Sequence, residues 1–571
     1  MPSSSSPLLL IAFFSLFFPE SIATITSISS DVVIYSANAA GIAAGIASAA
    51  SGNHTVLIFE PLNMIGGMAV AGGVGLMNNE EGVYGQGIGG QWCALNGEAI
   101  GSSKPNCFAE SHVGEASFWK MINATANLTI NLGCRLIDVN HGDSSTCLTS
   151  ATFFCIDGNK TIVAAASAFI DASYDGDLMV LSNVSHTSGR ESSSEYNESL
   201  GGVSLIDESN ESFGSLEIDP FWEDGSLLTG ISSEPLPPSG TGDDRLMAFS
   251  YFICAAELSS GKALQWPRPD GYNASDFELL RRVIAKYVEL NRTFELADFS
   301  EYQAYTTPPN ITKLLLCCGR APLNMDQPDL NRGWASATYE QRQLMEKAHR
   351  YYLLGSLYFM SNDNSVNNYT RYAIGRWGMC SDEYVNNNFF PPQIYIRISN
   401  RMKGEIFYTQ NNLWGPQNDS IAVGRWDFDQ HTESRRAVRH PKNASKWITI
   451  NEGYFRTSFG PAGQQNWYDL SFRAILPQRQ EANNLLVPVA ISASSVAYSS
   501  TRIEQMFVDA GAAAGVAVSL ALDAAKSSSS SEALSTSTIC PGLGYALQDT
   551  NVTSVQEQLV SRFKQRIHGP P

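Results

Sequence analysis

Short apolar runs alternate with stretches of very small residues near the start of this chain. Asp31-Val-Val-Ile-Tyr35 is apolar at consecutive positions, the pattern of a parallel strand covered on both faces. A turn over Ser36 to Gly41 leads into Ala39 to Ala50, almost wholly Ala, Gly and Ile, which predicts a helix packed closely on a sheet and ended by Gly52-Asn53. Thr55-Val-Leu-Ile-Phe59 predicts a second strand that closes on Glu60, so residues 31–60 read as one βαβ unit. The polar residues Thr24 to Ser30 ahead of it read as a linker.

Beyond Glu60 the pattern breaks into glycine: Gly66-Gly67, Gly72-Gly73, Gly75, Gly82, Gly85, Gly87 and Gly89-Gly90. Such density argues against ordinary helix or strand and predicts loop backbone that something approaches closely. Residues 128–170 alternate in short runs, an antiparallel excursion that returns to the main sheet along Ala164 to Ile170 and ends at Asp171 to Asp177. Two convincing helices, Asp276 to Leu290 and Thr338 to Phe359, stand in a region richer in aromatics and proline. Asn484 to Ala525 resumes the small-residue style, with Leu485-Leu486-Val487 as strand and Met506 to Ala525 as helix. A Ser-rich spacer and a terminal helix near Val552 to Ile567 close the chain.

With 43% hydrophobic and 16% charged residues in 571, the chain can bury a large core. A net charge of −19 and no basic tract exclude nucleic acid as a partner. The apolar run Leu8 to Phe18, with Ser21-Ile22-Ala23 after it, reads as a signal peptide over residues 1–23. No later stretch reads as a membrane span, so the mature form is expected to be secreted or to reside in the secretory lumen. Fourteen N-x-[ST] sequons, against roughly six by chance, support the same destination. Ten cysteines without close C-x-x-C spacing predict some structural disulfides and no metal.

A dinucleotide site needs a tight strand-to-helix turn whose N–H groups and helix dipole face a diphosphate, and an acid about 20 residues on for the ribose hydroxyls. Gly41 and Glu60 supply two of these features. Ser36 and Asn38 replace the usual first two glycines, and Asn38 is the residue type that tolerates positive φ. A βαβ unit without cofactor is the plain alternative. The glycine pairs after Glu60 favour a flavin over a nicotinamide, because a flavin ring needs bare backbone beneath it.

Taken in order, Asp31 to Gly41, Glu60-Pro61, Gly66-Gly67-Met68, Gly72-Gly73-Val-Gly75, Phe169 to Asp177, Gly189-Arg-Glu-Ser192, Glu198 to Gly202, Arg397 with Asn400-Arg-Met402, Ser492 to Ala497, Arg502-Ile-Glu504 and Gly511 to Gly515 resemble the FAD-dependent oxidoreductases distantly similar to the flavin subunit of heterodisulfide reductase. The pattern along the chain reads as an α/β fold: a Rossmann-like FAD/NAD(P)-binding domain with a parallel sheet (31–205 and 471–525), an inserted α+β substrate domain (206–470) and a Ser-rich spacer with a C-terminal helix (526–571). The resemblance implies FAD as cofactor, with Ser36, Asn38 and Gly41 at the diphosphate and Glu60 at the ribose. Gly66, Gly67, Met68, Gly72 and Gly73 would lie beside the flavin, Asp171 and Asp177 near the ribityl chain, and Arg502 and Gly511 at the flavin's C2 carbonyl.

Three positions depart from the family's habit: Ser495 stands where His is common, Ala512 where Gln is, and Gln505 where Pro is. Loss of that imidazole removes a natural base. Candidate bases and anchors are therefore sought among His186, Arg190, Glu191, Arg397 and Arg401, with Arg190, Arg401 and His186 taken as the catalytic candidates. The sequence supports a secreted FAD-dependent enzyme oxidising a small molecule, with a flavin-fold binding protein lacking turnover as the alternative. It leaves the oligomeric state open.

Overall fold

The structure, a computed structural model, describes residues 24–76, 86–205, 213–305, 311–319, 321–457, 467–527 and 539–569. The run read as a signal peptide, together with Gly82, Gly85, Asn210 and Asn310, lies outside them.

A mostly parallel sheet organises the N-terminal part. Strands β1 (Thr24–Tyr35), β2 (Val56–Phe59), β3 (Leu128–Asn131), β4 (Cys134–His141), β5 (Leu148–Cys155) and β6 (Lys160–Asp171) lie in the order β3-β2-β1-β6-β5-β4. β1 is parallel to β2 and to β6, whereas β4, β5 and β6 form the antiparallel excursion. A short β7 (Leu485–Leu486) then pairs in parallel with Phe169 and Ile170 of β6, where the chain returns to the sheet. Residues 24–30 are not a linker: they are the first half of β1, in register with Lys160 to Ala166. Ladder formation needs only backbone groups, so the exposed Thr and Ser side chains there cost the strand little.

Both faces of β1 are covered, as the unbroken apolar run requires. Val32 and Ile34 face one core, while Val33 and Tyr35 join Phe59, Phe153 and Phe169 in a second core against the antiparallel strands. Helix α1 (Ala39–Gly52) follows the β1 turn, and Asn53 ends it in the left-handed conformation. Helix α2 (Gly87–Ala99) corrects the reading of Gly87, Gly89 and Gly90 as loop. Those glycines serve close packing rather than irregular backbone, since a Cβ on Gly89 would lie 2.8 Å from Gln505 Oε1.

Residues 253–380 build a second, five-stranded antiparallel sheet beside the helices Glu278–Glu289 and Tyr339–Asn362. The second helix opens with a capping box between Thr338 and Gln341. Helix α3 (Ser495–Thr501) and helix α4 (Glu504–Ser527) complete the return to the first sheet. By length and composition α4 is apolar enough to cross a membrane, contrary to the sequence expectation, but it lies inside the fold against α1. The terminal helix is shorter than predicted, Val552–Ser561, and buries Val555 and Leu559. Disulfides join Cys93–Cys107, Cys134–Cys155, Cys147–Cys540 and Cys254–Cys380, leaving Cys317 and Cys318 as free thiols.

Helices α1 and α4 approach backbone to backbone at Gly511 and Gly515. A Cβ on Gly511 would sit 2.2 Å from the Ala40 carbonyl oxygen, and one on Gly515 would sit 2.3 Å from that of Ala44. Gly515→Leu is therefore expected to destabilise the protein by at least about 1–3 kcal/mol through overpacking. Thermal denaturation checks this, and an unchanged melting temperature would contradict the contact.

Candidate active site

The head of the main sheet is built from the β1–α1 turn. Ser36 takes φ 77°, the left-handed conformation that glycine usually supplies. Asn38, the residue expected to do so, instead has φ −67° and caps α1, its Oδ1 accepting the Gly41 N–H at 2.9 Å and its Nδ2 donating to the Ala172 carbonyl. An extended backbone is what an N-cap requires. Gly41 is obligatory, because a Cβ there would lie 2.0 Å from the Ser36 carbonyl oxygen. Gly66 is bridged to Asn38 across the turn, its carbonyl toward the Ala39 N–H, and the first residues of the helix, Ala39 and Ala40, are buried.

Glu60 ends β2 beside this turn. Its carboxylate accepts from the Ser36 hydroxyl and from the N–H groups of Ala37 (2.6 Å) and Leu62 (2.9 Å). Burial raises its pKa to about 7 against these bonds. A cleft of about 640 Å³ opens directly beyond it, lined by Pro61, Met64, His112, Glu346, Arg350 and Glu383 among others. At its wall the ligand atoms of Glu110, His112 and Glu383 lie within 4.8 Å of one another, and the Lys313 ammonium pairs with Glu110 and Asp382.

The first glycine pair closes on the turn. Gly66 (φ 90°) donates its N–H to the Ala37 carbonyl, and a Cβ on Gly67 would lie 2.5 Å from Asn38 Cβ and 2.6 Å from the Tyr174 hydroxyl. That hydroxyl accepts the Met68 N–H and donates to Glu504 Oε1, both at 2.8 Å, linking this loop to the start of α4. Gly72 packs against the Met68 side chain, and Gly73 against the Tyr305 and Tyr384 hydroxyls. Asp171 is wholly buried and organises a turn, accepting from Ser173 and from the Met179 N–H, while Asp177 pairs with Arg342 at 2.9 Å. Gly511 serves the helix contact already described.

The proposed catalytic arginines are committed elsewhere. Arg190 is ringed by Asp243, Glu433 and Glu452, with Nη2–Asp243 at 2.7 Å. Arg401 pairs with Glu191 at 2.6 Å and donates to the Ala493 and Gly189 carbonyls, and Glu191 also accepts the Ser495 N–H. These heads hold chain segments together. His186 is exposed on a two-residue strand paired with Arg401 and Met402, its Nδ1 against the Val184 carbonyl.

A different cluster gathers beside Arg502. Asp326 binds Arg397 through Oδ1 (2.9 Å to Nη2) and His431 through Oδ2 (2.7 Å to Nδ1). His431 Nε2 looks toward Asp429 Oδ2 at 4.0 Å, and that carboxylate stands 3.5 Å from Arg502 Nη2. Arg502 donates on to the Tyr395 hydroxyl at 2.6 Å, over whose ring the Arg397 guanidinium lies. Burial opposes ionisation of Asp326, but Arg397 and His431 outweigh it and hold its pKa below the ordinary carboxylate value. Burial first, and Arg397 second, lower that of His431. The sequence reading named Arg397 and Arg502 but passed over Asp326 and His431. The available signal was only the spacing of Asp429 and His431, two residues apart where the strand Phe428–Gln430 ends.

The sequence pattern of the FAD dependent oxidoreductase family matches residues 31–532. The chain belongs to that family. FAD is accordingly the cofactor of this oxidoreductase. No curated protein is found to be similar to it. Solved structures similar in part include L-proline dehydrogenase from P. horikoshii (15% identity, TM-score 0.18, covering 29% of this chain and 24% of that one). Others are E. coli quinol fumarate reductase (12%, 0.20, 38% and 48%) and the OxyS anhydrotetracycline hydroxylase of Streptomyces rimosus (9%, 0.23, 52% and 47%). The oxidoreductase thus spans less than half the length of each of the three.

The residues at the sheet head fit FAD: a tight strand-to-helix turn in which Gly41 admits no Cβ, a buried helix start beyond it, and a buried carboxylate at the second strand's end.

Four buried carboxyls flank this region, and among the described residues none of them is paired with a cation. Burial raises Glu60 and Asp171 to about 7, and Glu504 and Asp509 to about 8. Folded values above the unfolded ones mean that the protonated forms favour the fold. The stability they add is full below about pH 4 and is lost as pH rises through 7 and 8. The FAD-free protein should melt at falling temperature from pH 5 to pH 9, and Glu504→Gln, which keeps a carbonyl for Tyr174, should flatten that slope. Parallel slopes for the two proteins would contradict the assignment to Glu504.

Proposed function

We propose that this FAD-dependent oxidoreductase is an exported enzyme that removes hydride from a small organic substrate. When bound, FAD supplies a two-electron acceptor. The chain's own residues bind and orient it. The N-terminus of α1 and its dipole would receive the diphosphate, Glu60 the ribose hydroxyls, and the Gly66 to Gly73 segment the flavin ring. The start of α4, with Arg502, supplies positive potential where the reduced ring gathers charge. The observation that carries this reading is the tight β1–α1 turn at the head of the sheet, held by the buried Glu60 carboxylate through the Ser36 hydroxyl and the Ala37 N–H.

Export is supported by a feature of the surface. All twelve sequon asparagines among the described residues are exposed, six of them (Asn53, Asn127, Asn159, Asn183, Asn197 and Asn291) with positive φ at turns and element ends. Four disulfides accord with an oxidising lumen. Within the family we place the chain nearer the flavin subunit of heterodisulfide reductase, without that protein's iron–sulfur chemistry, since eight of the ten cysteines are paired in disulfides.

Protein purified from a eukaryotic secretory host should be yellow, absorbing near 450 nm, and anaerobic addition of one or more sugars, alcohols or amines should bleach it. Yellow protein that none of them bleaches would count against the substrate class, and colourless protein against the flavin site. Peptide mass spectrometry after enzymatic deglycosylation should find Asn converted to Asp at most of the twelve exposed sequons, and unmodified Asn throughout would count against export.

A further inference from the structure

We propose that His431 is the proton acceptor of the oxidation: its Nε2 takes the proton from a substrate O–H or N–H while the adjoining C–H bond gives up its electron pair as hydride to the bound flavin. This rests on the hydride-transfer reading above. The balance is complete. The O–H or N–H bond breaks with its electrons remaining on the heteroatom, a C=O or C=N bond forms as hydride departs, and the proton on Nε2 later passes to solvent.

Three observations carry it. The Asp326 carboxylate faces Nδ1 at 2.7 Å and is fixed from behind by Arg397, which also donates to the Ala248 carbonyl. An ionised carboxylate can only accept, so Nδ1 carries the hydrogen and Nε2 keeps its lone pair. Next, Nε2 makes no hydrogen bond among the described residues; Asp429 at 4.0 Å is the acid before it, and part of the ring remains open in an otherwise buried cluster. Finally, that edge lies on the side of Asp429 and, through it, of Arg502, two residues ahead of α4. Asp429 joins it to Arg502, and the strand Phe428–Gln430 packs on helix α3, whose first residue, Ser495, brings no imidazole of its own. The groups facing the ring are Asp326 and Arg397 from the loops, Asp429 from its own strand, and the Tyr454 ring edge from the neighbouring hairpin. Burial and Arg397 lower the pKa of the imidazole, so it stands neutral and ready as a base near pH 7.

The test uses the FAD-loaded, full-length glycoprotein. Diethyl pyrocarbonate at pH 6.5, read by peptide mass spectrometry, should label His431 well ahead of His349, which is enclosed in the core and held by the Met345 carbonyl. Labelling of the exposed His186 with none at His431 would overturn the proposal. With any alcohol or amine that bleaches the wild type, His431→Gln should retain the flavin band and melting temperature yet slow reduction by about 10²–10⁴-fold. It should also abolish the fall in rate on the acid side of the pH profile. Asp326→Asn, a positioning change, should slow reduction less and shift that acid limb. Equal reduction rates for wild type and His431→Gln would overturn this proposal alone. A wild type that no alcohol or amine bleaches would overturn the hydride-transfer reading and this proposal with it.

Discussion

The contact between two helices from opposite ends of the chain, made backbone to backbone, governs this structure. Helix α1 presents Ala40 and Ala44 to Gly511 and Gly515 of α4, at separations where even one added methyl would fall 2.2 or 2.3 Å from a carbonyl oxygen. The Ser48 hydroxyl donates across to the Gly515 carbonyl at 3.3 Å. Helices that approach this closely exclude water and gain dispersion contacts along their whole length. The same approach sets Glu504, at the start of α4, against Tyr174, and Tyr174 against the Met68 N–H beside the glycine pair. A site assembled from residues 36–68 and 502–511 exists only because those two helices touch.

Buried arginines attach the rest of the chain to this frame. Arg190 ties the segment after the main sheet to Asp243, Glu433 and Glu452, and Arg401 ties another strand to Glu191, which in turn holds the Ser495 amide. Taking such charges out of water costs several kcal/mol per ion, so these pairs contribute less to net stability than to a single arrangement of segments. Arg397 belongs to the same class of strut, with one difference. The carboxylate it holds, Asp326, is shared with an imidazole whose other nitrogen makes no hydrogen bond among the described residues, so a structural ion pair also sets the tautomer of His431.

Much of the frame was legible in the chain itself. The unbroken apolar run of Val32 to Ile34, the Ala/Gly helix behind it and Glu60 at the end of the next strand encode the βαβ unit locally, through periodicity and residue size. Gly41, Gly66 and Gly67 could be read the same way, because a position that tolerates no Cβ is written as glycine. Residues 24–30 and 87–90 were misread for one reason. Polar side chains do not forbid a strand whose backbone has partners in Lys160 to Ala166, and glycines do not forbid a helix that must fit closely against Gln505.

What the sequence determined alone, then, is the cofactor fold: its signals are short-range, carried by which residues can be small, apolar or left-handed at a given place. Only the tertiary structure decided which polar residues are free to do chemistry. Arg190 and Arg401 looked available as letters and are consumed by carboxylates from distant segments. Asp326 and His431, 105 positions apart, meet at 2.7 Å through a fold that no local pattern announces. The physical reason is that reactivity depends on what a side chain is left facing after every segment has packed, and that is a property of long-range contacts.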